Sequence, residues 1–434
     1  MSQYGGSLLV SLAKPDKQIA LVDCNNFYVS CERVFQPAWE HRPVGVLSNN
    51  DGCIVARSNE LKQAGIPMAA PYFKYRQRLQ AMKAVITSSN YTLYGDMSDR
   101  VMRILSSFTP SIEIYSIDEA WLDLTGFQDI HIYARKIACE TYQATGIPVS
   151  IGVAPTKTLA KIMNHQVKKY PCATKSLIFP KASYDIDALL SDVDVGDIWG
   201  IGKRWASSLK SKGIYTAKDL RDAPSVMIRK AFNVIMLRTQ AELRGIQCFH
   251  SEDPAPKKQI ISSRSFGRKV TDKKYLKEAL AMHVAKAAQK LREQETVCGA
   301  MVIKIRSSPF SKTQKFYARH EFLEFSSLTS DTLLMTQKGF EVLEQIYKPD
   351  ILYAKVGVVL CDIRDKNTYQ GDFFTQDDIK NRHSLMQVID KINHRFGKGT
   401  LIHGAEGLTK PWSMKNQHRT AAYTTDWHDI IQVS

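Results

Sequence analysis

The chain has 434 residues, of which 44% are hydrophobic and 24% charged, and its formal net charge is +16. This length exceeds what one hydrophobic core can organise and predicts about three domains at roughly 150 residues each. No apolar run approaches the ~18 residues of a membrane span, and the eight cysteines lack Cys-x-x-Cys spacing, which argues against a membrane protein, a zinc ribbon or a redox pair.

Charge is distributed unevenly along the chain. Residues 19–150 carry 12 Lys and Arg against 13 Asp and Glu, whereas residues 255–325 carry 16 against 6. This contrast predicts a division between a segment for chemistry and a segment for polyanion binding, with a solvated basic face as the alternative. Reduced cysteines fit a cytoplasmic protein. Residues 1–18 lack the features of a signal peptide and are interpreted as a flexible leader.

Three carboxylates follow or interrupt strand-like segments in the first half. Asp23 ends the apolar run 19–22, and the pair Asp118 and Glu119 interrupts a β pattern over residues 112–124. Buried carboxylates are costly unless they are paired or bind metal. The three acids therefore predict a divalent-metal site, and a structural acid paired with a buried Arg is the alternative.

The remaining elements of the first half alternate between helix and strand. Residues 53–64 are predicted to form a helix that ends at Gly65, and residues 94–108 an amphipathic helix. Residues 149–153 form an apolar strand pattern, and a helix carrying Lys157 and Lys161 follows.

Residues 185–245 are predicted to be mainly helical and to contain a helix-hairpin-helix. Gly200 and Gly202 form its turn, and residues 205–212 form its second helix. The glycines would let backbone N–H groups approach a phosphate at a helix N-terminus, with Lys203 beside them. A plain turn without a ligand is the alternative.

Residues 257–362 follow a β-α-β-β-α-β pattern. In the strand 301–306, Lys304 and Arg306 share one face while apolar residues occupy the other. The next strand is expected to add Lys312, Lys315 and Arg319. A sheet with helices on one face and cations on the other could bind a duplex backbone. The predicted core positions of the two helices are Leu276, Leu280, Val284, Ala287 and Leu291, then Leu333, Phe340, Leu343 and Ile346.

Four segments in order match the motifs of one family: residues 23–32 (DCNNFYVSCE), 56–60 (ARSNE), 115–120 (YSIDEA) and 157–161 (KTLAK). They resemble the Y-family of translesion DNA polymerases, most closely its UmuC branch. The resemblance extends from Ile19 almost to the C-terminus. It implies a right-hand α/β (α+β) fold. The implied parts are a palm (19–45 and 90–185), small fingers (46–89), a helix-hairpin-helix thumb (186–250), a βαββαβ little finger (257–362) and a clamp- and partner-binding C-terminal region (363–434).

The resemblance implies an error-prone, DNA-directed DNA polymerase that performs translesion synthesis in the SOS response to DNA damage. Asp23 and Asp118 would bridge two Mg²⁺ ions with help from the Cys24 carbonyl, and Glu119 would complete the site. A catalytically silent, DNA-bound scaffold is the main alternative, and a metal-dependent nuclease is a more distant one.

The family also implies roles in nucleotide binding. Tyr28 would be a steric gate that excludes a 2′-hydroxyl, although a core aromatic is the plain alternative. Arg57, Asn59, Lys62 and Lys161 would hold the triphosphate. Many relatives have Tyr and Arg where this chain has Asn59 and Lys62, which weakens the transfer of those two roles.

The C-terminal region carries a segment that resembles a clamp-binding pentapeptide. It contains Gln370, Phe373 and Phe374, but Gly371 replaces the usual apolar residue and Phe373 the usual Leu. A plain loop, or for the whole region a disordered tail, is the alternative. The implied partners are primer-template DNA, deoxynucleoside triphosphates, a sliding clamp, a UmuD-type accessory dimer and a RecA filament.

Overall fold

Three β-sheets organise the part of the chain that the structure, a computed structural model, describes: residues 17–169, 176–180, 183–250, 257–368 and 376–430. The chain divides into two units. Unit 1 comprises Met1–Leu47, Cys53–Glu252 and His418–Ser434, and unit 2 comprises Ser48–Gly52 and Asp253–Gln417. Most of the predicted leader, residues 1–16, lies outside the described residues.

The strands are β1 (Ile19–Cys24), β2 (Val44–Leu47), β3 (Ile54–Arg57), β4 (Val85–Ser88), β5 (Ile112–Ile114), β6 (Glu119–Asp123), β7 (Val149–Ala154), β8 (Ser176–Ile178), β9 (Ile260–Val270), β10 (Thr296–Ser307), β11 (Ala318–Thr329) and β12 (Tyr353–Asp365). The helices are α1 (Phe27–Phe35), α2 (Asn59–Gln63), α3 (Tyr72–Ala81), α4 (Tyr91–Ser106), α5 (Ile130–Thr145), α6 (Lys157–Lys169), α7 (Ser183–Ser191), α8 (Lys203–Lys210), α9 (Ala217–Asp222), α10 (Ser225–Ala231), α11 (Val234–Leu243), α12 (Lys273–Glu293), α13 (Thr332–Ile346) and α14 (Gln376–Phe396).

Unit 1 is built on the sheet β5-β6-β1-β7-β8, in which only the β7–β8 pair is parallel. Both faces of β1 are buried. Ala20 and Val22 join the core shared with α1, α4 and α5, whereas Ile19 and Leu21 join a second core with α6 and the helices of residues 183–250. Burial on both faces explains why β1 is continuously apolar in sequence.

A smaller sheet, β3-β2-β4, has its own core with α2 and α3.

Unit 2 contains the order β9-α12-β10-β11-α13-β12, so the predicted βαββαβ pattern is confirmed. Its sheet has the strand order β11-β10-β12-β9, and all its pairs are antiparallel. The predicted core positions of α12 are all buried. In α13, Leu343 and Ile346 are buried, but Leu333 is 44% exposed because it lies in the first turn, so its assignment to the core was wrong.

The structure corrects several predicted elements. Residues 53–64 are not one helix, because the β-branched Ile54 and Val55 lie in β3 and the Ser58 hydroxyl then caps α2 by accepting the N–H of Leu61. The helix after the Gly-x-Gly turn is Lys203–Lys210, earlier than predicted, because Gly202 is its N-cap. Between α7 and the turn lies a three-residue 3₁₀ helix, Val195–Asp197.

Two further corrections concern the basic unit and the tail. Lys312 and Lys315 precede β11, so they lie in the loop before the strand on which they were expected. The C-terminal region, for which no helix was predicted, contains the 21-residue helix α14. The predicted boundaries of palm, fingers, thumb and little finger are finer than the two units and stay predictions. Among the described residues, no helix is long and apolar enough to cross a membrane.

Candidate active site

The pairing of β1 with β6 brings the predicted acids together. In this antiparallel pair, Asp23 lies directly opposite Glu119. Asp118 comes immediately before β6, and its carbonyl oxygen accepts the N–H of Cys24 at 2.8 Å. Segments almost a hundred residues apart in sequence thus meet at one end of the sheet, and the divalent-metal site predicted from these acids stays a prediction.

Each of the three carboxylates has a polar partner within unit 1. Lys168 lies 2.5 Å from Asp23, and Lys161 lies 2.9 Å from Glu119. The Ser116 hydroxyl donates to Asp118 at 2.6 Å. Burial raises the pKa of Asp23 to about 6; Lys168 lowers that pKa, and the nearby charge of Glu119 raises it again. The pocket therefore favours added positive charge.

The donor chemistry of this pocket fits a hard divalent cation. Three carboxylates offer oxygen atoms, which are the ligands that Mg²⁺ prefers. The contribution of the Cys24 backbone carbonyl stays a prediction. Within the described ranges, no three His, Cys, Asp or Glu side chains converge closely enough to hold a metal ion. Two of the acids, Asp23 and Glu119, face lysines instead. Metal binding would thus require these two lysines to turn away.

Three cations from different elements, here called the cation cluster, lie near Asp23: Arg57 on β3, Lys62 on α2 and Lys168 on α6. The pKa of Lys62 is lowered by burial first and then by the charges of Arg57 and Lys168. Lys62 also donates to the Asn26 side-chain oxygen at 2.5 Å, and Asn26 donates to Asn59 at 3.0 Å. Cations close enough to lower the pKa of Lys62 form a concentrated positive field suited to an anion.

Lys161 occupies a different place from these cations. Besides its ion pair with Glu119, its ammonium group lies over the rings of Tyr115 and Trp199, 5.1 and 5.8 Å from their centroids. Sequence reasoning missed Lys168, although its spacing of seven residues from Lys161 places both on one face of α6. It also missed Asn26, for which the sequence offers no comparable signal.

Close packing positions α6, the helix that carries both lysines. A Cβ at Gly152 in β7 would clash with the backbone nitrogen of Asn164 and the carbonyl oxygen of Ala160, so only glycine permits this approach. The Asn164 side chain donates to the carbonyl oxygens of Ser150 at 2.7 Å and Leu21 at 3.2 Å. These contacts fix α6 to the two strands next to the acids.

Tyr28, the predicted gate, lies at the rim of the core, half-buried. Its ring stacks on Tyr94 with centroids 4.4 Å apart and an interplanar angle of 13°, and meets the edge of Tyr91 at 6.1 Å. Its pKa is raised by burial first and then by Tyr91 and Asp118. The ring is therefore within electrostatic reach of the acid site.

The predicted phosphate-binding cations lie on exposed surfaces. In unit 1, Gly200 has a φ of +85°, and Lys203 at the start of α8 is exposed. In unit 2, Lys304 and Arg306 are exposed on β10, and Lys355 lies opposite Arg306 on β12. Burial, followed by Arg306 and Lys304, lowers the pKa of Lys355. The clamp-motif residues 370–374 lie outside the described residues.

Comparisons with known proteins cover most of the chain. Residues 22–165 match the model of the impB/mucB/samB family, residues 257–373 match that family's C-terminal domain, and residues 383–433 match a domain of unknown function. The chain is 40% identical to Protein UmuC of Salmonella typhimurium over 95% of its own length and 99% of that protein. It is 38% identical to Protein MucB of Escherichia coli (95% and 98%) and 25% identical to DNA polymerase IV of Caulobacter vibrioides (89% and 93%).

A solved structure shares the fold. It is a chimeric Y-family DNA polymerase that is matched over 80% of this chain and 99% of its own, with a TM-score of 0.62 and 21% sequence identity.

Proposed function

This chain belongs to the impB/mucB/samB family and is an error-prone translesion DNA polymerase, and we propose that its reaction takes place at Asp23, Asp118 and Glu119. The observation that carries this proposal is the register of β1 and β6, which sets Asp23 opposite Glu119 next to a cluster of three cations. Acids and cations side by side suit a reaction that joins a primer hydroxyl to a nucleotide phosphate.

Asp23, Asp118 and Glu119, with the Cys24 carbonyl, would hold two Mg²⁺ ions, which when bound supply Lewis acidity toward the primer hydroxyl and the phosphate. Two features support this: the oxygen donor set, and the raised pKa of Asp23, which marks a buried acid short of positive charge. In the structure Lys168 and Lys161 neutralise two of the acids.

The cation cluster would bind the triphosphate of the incoming nucleotide. Arg57, Lys62 and Lys168 can each donate to phosphate oxygens and offset their negative charge. Asn26 and Asn59 orient Lys62 through their hydrogen bonds. Lys168, released from Asp23, and Lys161, released from Glu119, would both turn toward the phosphates.

Tyr28 would select the sugar of the nucleotide. Its ring is held by stacking on Tyr94 and stands near Asp118, where a nucleotide's reacting end would lie. A ring fixed in that place would collide with a 2′-hydroxyl and so favour deoxynucleotides.

Exposed cations would hold primer-template DNA. The N-terminus of α8, beside Lys203, would contact a phosphate of the backbone. In unit 2, Lys304, Arg306 and Lys355 would contact the duplex backbone without reading its sequence. From the family resemblance we also propose that the chain works in the SOS response with a sliding clamp, a UmuD-type dimer and a RecA filament. We also propose that the protein acts in the cytoplasm, where cysteine side chains stay reduced.

Primer extension across an abasic template site tests the active-site proposal. We expect Asp118→Asn to lower single-turnover nucleotide addition at least about a thousandfold, since the lost charge stabilisation is worth several kcal/mol. Binding of primer-template, measured by fluorescence anisotropy, should stay within about twofold, because the phosphate contacts that dominate affinity are elsewhere. Asp123→Asn is the matched control, because Asp123 ends β6, the strand that follows Asp118, but pairs with Lys17.

An Asp118→Asn variant that extends primers normally would refute the site. A wild-type chain that binds primer-template tightly yet adds no nucleotide, even with clamp, accessory dimer and RecA filament present, would instead support the scaffold alternative.

A further inference from the structure

The C-terminal segment 418–423, here called the tail segment, is fastened to the start of α4 in unit 1. The backbone N–H of His418 donates to the Ser88 hydroxyl at 3.0 Å, and the Ser88 N–H donates to the His418 carbonyl oxygen at 3.0 Å. The buried Asn90 side chain donates to the carbonyl oxygens of Thr420 and Ala421 at 3.3 and 3.0 Å, and to the Thr420 hydroxyl at 3.2 Å. The segment thus binds the residues that lead into α4.

Thr420 also reaches a carboxylate that has no exposure to solvent. Its hydroxyl donates to Oε1 of Glu32 on α1 at 3.2 Å, and the Tyr94 hydroxyl donates to the same oxygen at 2.6 Å. Oε2 of Glu32 has no hydrogen-bond partner in the part of the chain that the structure describes. A buried carboxylate with so few donors depends strongly on each of them.

The third contact in this series leads to the nucleotide site. Tyr94, whose hydroxyl is held by Glu32, stacks its ring on Tyr28 at a centroid distance of 4.4 Å. Tyr91, in the same turn of α4, meets the edge of the Tyr28 ring. A continuous series of contacts therefore runs from Thr420 through Glu32 and Tyr94 to Tyr28, across 388 residues of sequence at its first step.

We propose that the tail segment sets sugar selectivity, with Thr420 as a positioning residue that holds Tyr28 in place through Glu32 and Tyr94. The inference rests on the role proposed above for Tyr28. It gives a function in the polymerase reaction to a segment of the domain of unknown function matched by residues 383–433. Ordering the aromatic stack before the nucleotide arrives keeps the ring from shifting to admit a 2′-hydroxyl.

A second attachment of the tail segment provides an internal control. The Tyr423 ring stacks on Phe35 with centroids 4.8 Å apart, and its hydroxyl accepts a hydrogen bond from Gln36 at 2.8 Å. This attachment joins the C-terminal end of α1, whereas Tyr28 lies in the first turn of that helix. Tyr423→Phe should therefore weaken the anchoring of the tail without disturbing the series of contacts to Tyr28.

The test compares the kcat/KM for a deoxynucleoside triphosphate with that for the matching ribonucleoside triphosphate, using the full chain. Thr420→Val keeps the shape and removes the hydroxyl, and with it the hydrogen bonds to Glu32 and from Asn90. We expect discrimination against the ribonucleotide to fall about tenfold, the lower end of the effect of one hydrogen bond to a charged group. The kcat/KM for the deoxynucleotide should change less than about twofold, since no group that touches the substrate is altered. Thr420→Ser, which retains the hydroxyl, should keep wild-type discrimination, as should Tyr423→Phe.

Tyr94→Phe removes the other hydrogen-bond donor to Glu32. If Thr420→Val fails to fold, we expect Tyr94→Phe to show the same fall in discrimination against the ribonucleotide. Unchanged discrimination in a folded Thr420→Val or Tyr94→Phe variant would overturn the inference. Equal losses in Thr420→Val and Tyr423→Phe would also overturn it, because they would indicate general loosening of the tail.

Tyr28→Ala in the same assay separates this inference from the proposed function. If Tyr28→Ala leaves sugar selectivity unchanged, Tyr28 is not the gate, and the inference fails together with that role. If Tyr28→Ala abolishes selectivity while Thr420→Val has no effect, only the positioning role is refuted.

Discussion

At the scale of single residues, the site is a balance between buried acids and the lysines that neutralise them. Asp23 is the clearest case, because burial raises its pKa to about 6 even with Lys168 at 2.5 Å. Its carboxylate is thus held ionised largely by a neighbouring cation. A carboxylate such as Asp23, which can exchange its lysine partner for a metal ion, suits a site where charged substrate binds and leaves.

Lys168 is expected to be the principal triphosphate contact of α6. Lys168→Met should raise the KM for the incoming nucleotide by about 10- to 100-fold, the effect of one charge-assisted hydrogen bond. Steady-state primer extension at varied nucleotide concentration measures this. Lys169→Met is the matched control, because Lys169 is the next residue of the same helix and pairs with Asp192 at 2.6 Å. An unchanged KM in Lys168→Met would remove Lys168 from the nucleotide site.

At the scale of elements, the site depends on how closely neighbouring elements approach. The antiparallel register of β1 and β6 aligns the acids, and Gly152 lets α6 approach β7 closely enough to bring Lys161 and Lys168 to them. In unit 2, the packing of α12 on the sheet buries His283, whose Nδ1 lies 2.9 Å from the Ser262 hydroxyl. Such buried polar groups couple the stability of an element to pH.

His283 should make unit 2 less stable in mild acid. Burial, helped by the charges of Lys286, Arg264 and Lys355, lowers its pKa from 6.5 to about 3. The unfolded chain therefore takes up a proton that the folded chain refuses, so stability present above pH 6.5 is lost as pH falls toward 3. The free energy of unfolding should drop by up to about 1.4 kcal/mol per pH unit in that window.

Hydrogen exchange of the amides of α12 and β9 at pH 7, 6 and 5 measures this effect. His283→Gln, which cannot take up the proton, is the comparison. Because all other titrating groups are shared, the difference in stability between wild type and variant should shrink as pH falls. A constant difference across the three pH values would refute the assignment.

At the scale of the whole molecule, the residues proposed for chemistry lie in one unit, whereas the proposed DNA contacts lie in both. The acids, the cation cluster and Lys203 belong to unit 1, and the cations Lys304, Arg306 and Lys355 of β10 and β12 belong to unit 2. This division matches the contrast in net charge between residues 19–150 and 255–325.

The salt dependence of DNA affinity should report the basic face of unit 2. The double variant Lys304→Ala/Arg306→Ala should bind primer-template more weakly. Its negative slope of log affinity against log salt should become shallower by about two, one for each lost phosphate contact. Lys273→Ala/Lys277→Ala is the matched control, because both lysines lie on α12 and pair with Glu344. Equal slopes for the two double variants would move the DNA contacts to another surface.

The sequence by itself determined the family, the position of the three acids at strand-like segments and the basic face of β10. Each of these depends on residues that are close together in the chain. Apolar runs mark β1 and β6, and the period of two in β10 separates Lys304 and Arg306 from the core. Only the tertiary structure decided that β3 replaces part of a predicted helix, that Lys168 pairs with Asp23, and that Thr420 meets Glu32. Contacts between residues hundreds of positions apart leave no periodic signal, because chain folding alone brings such residues together.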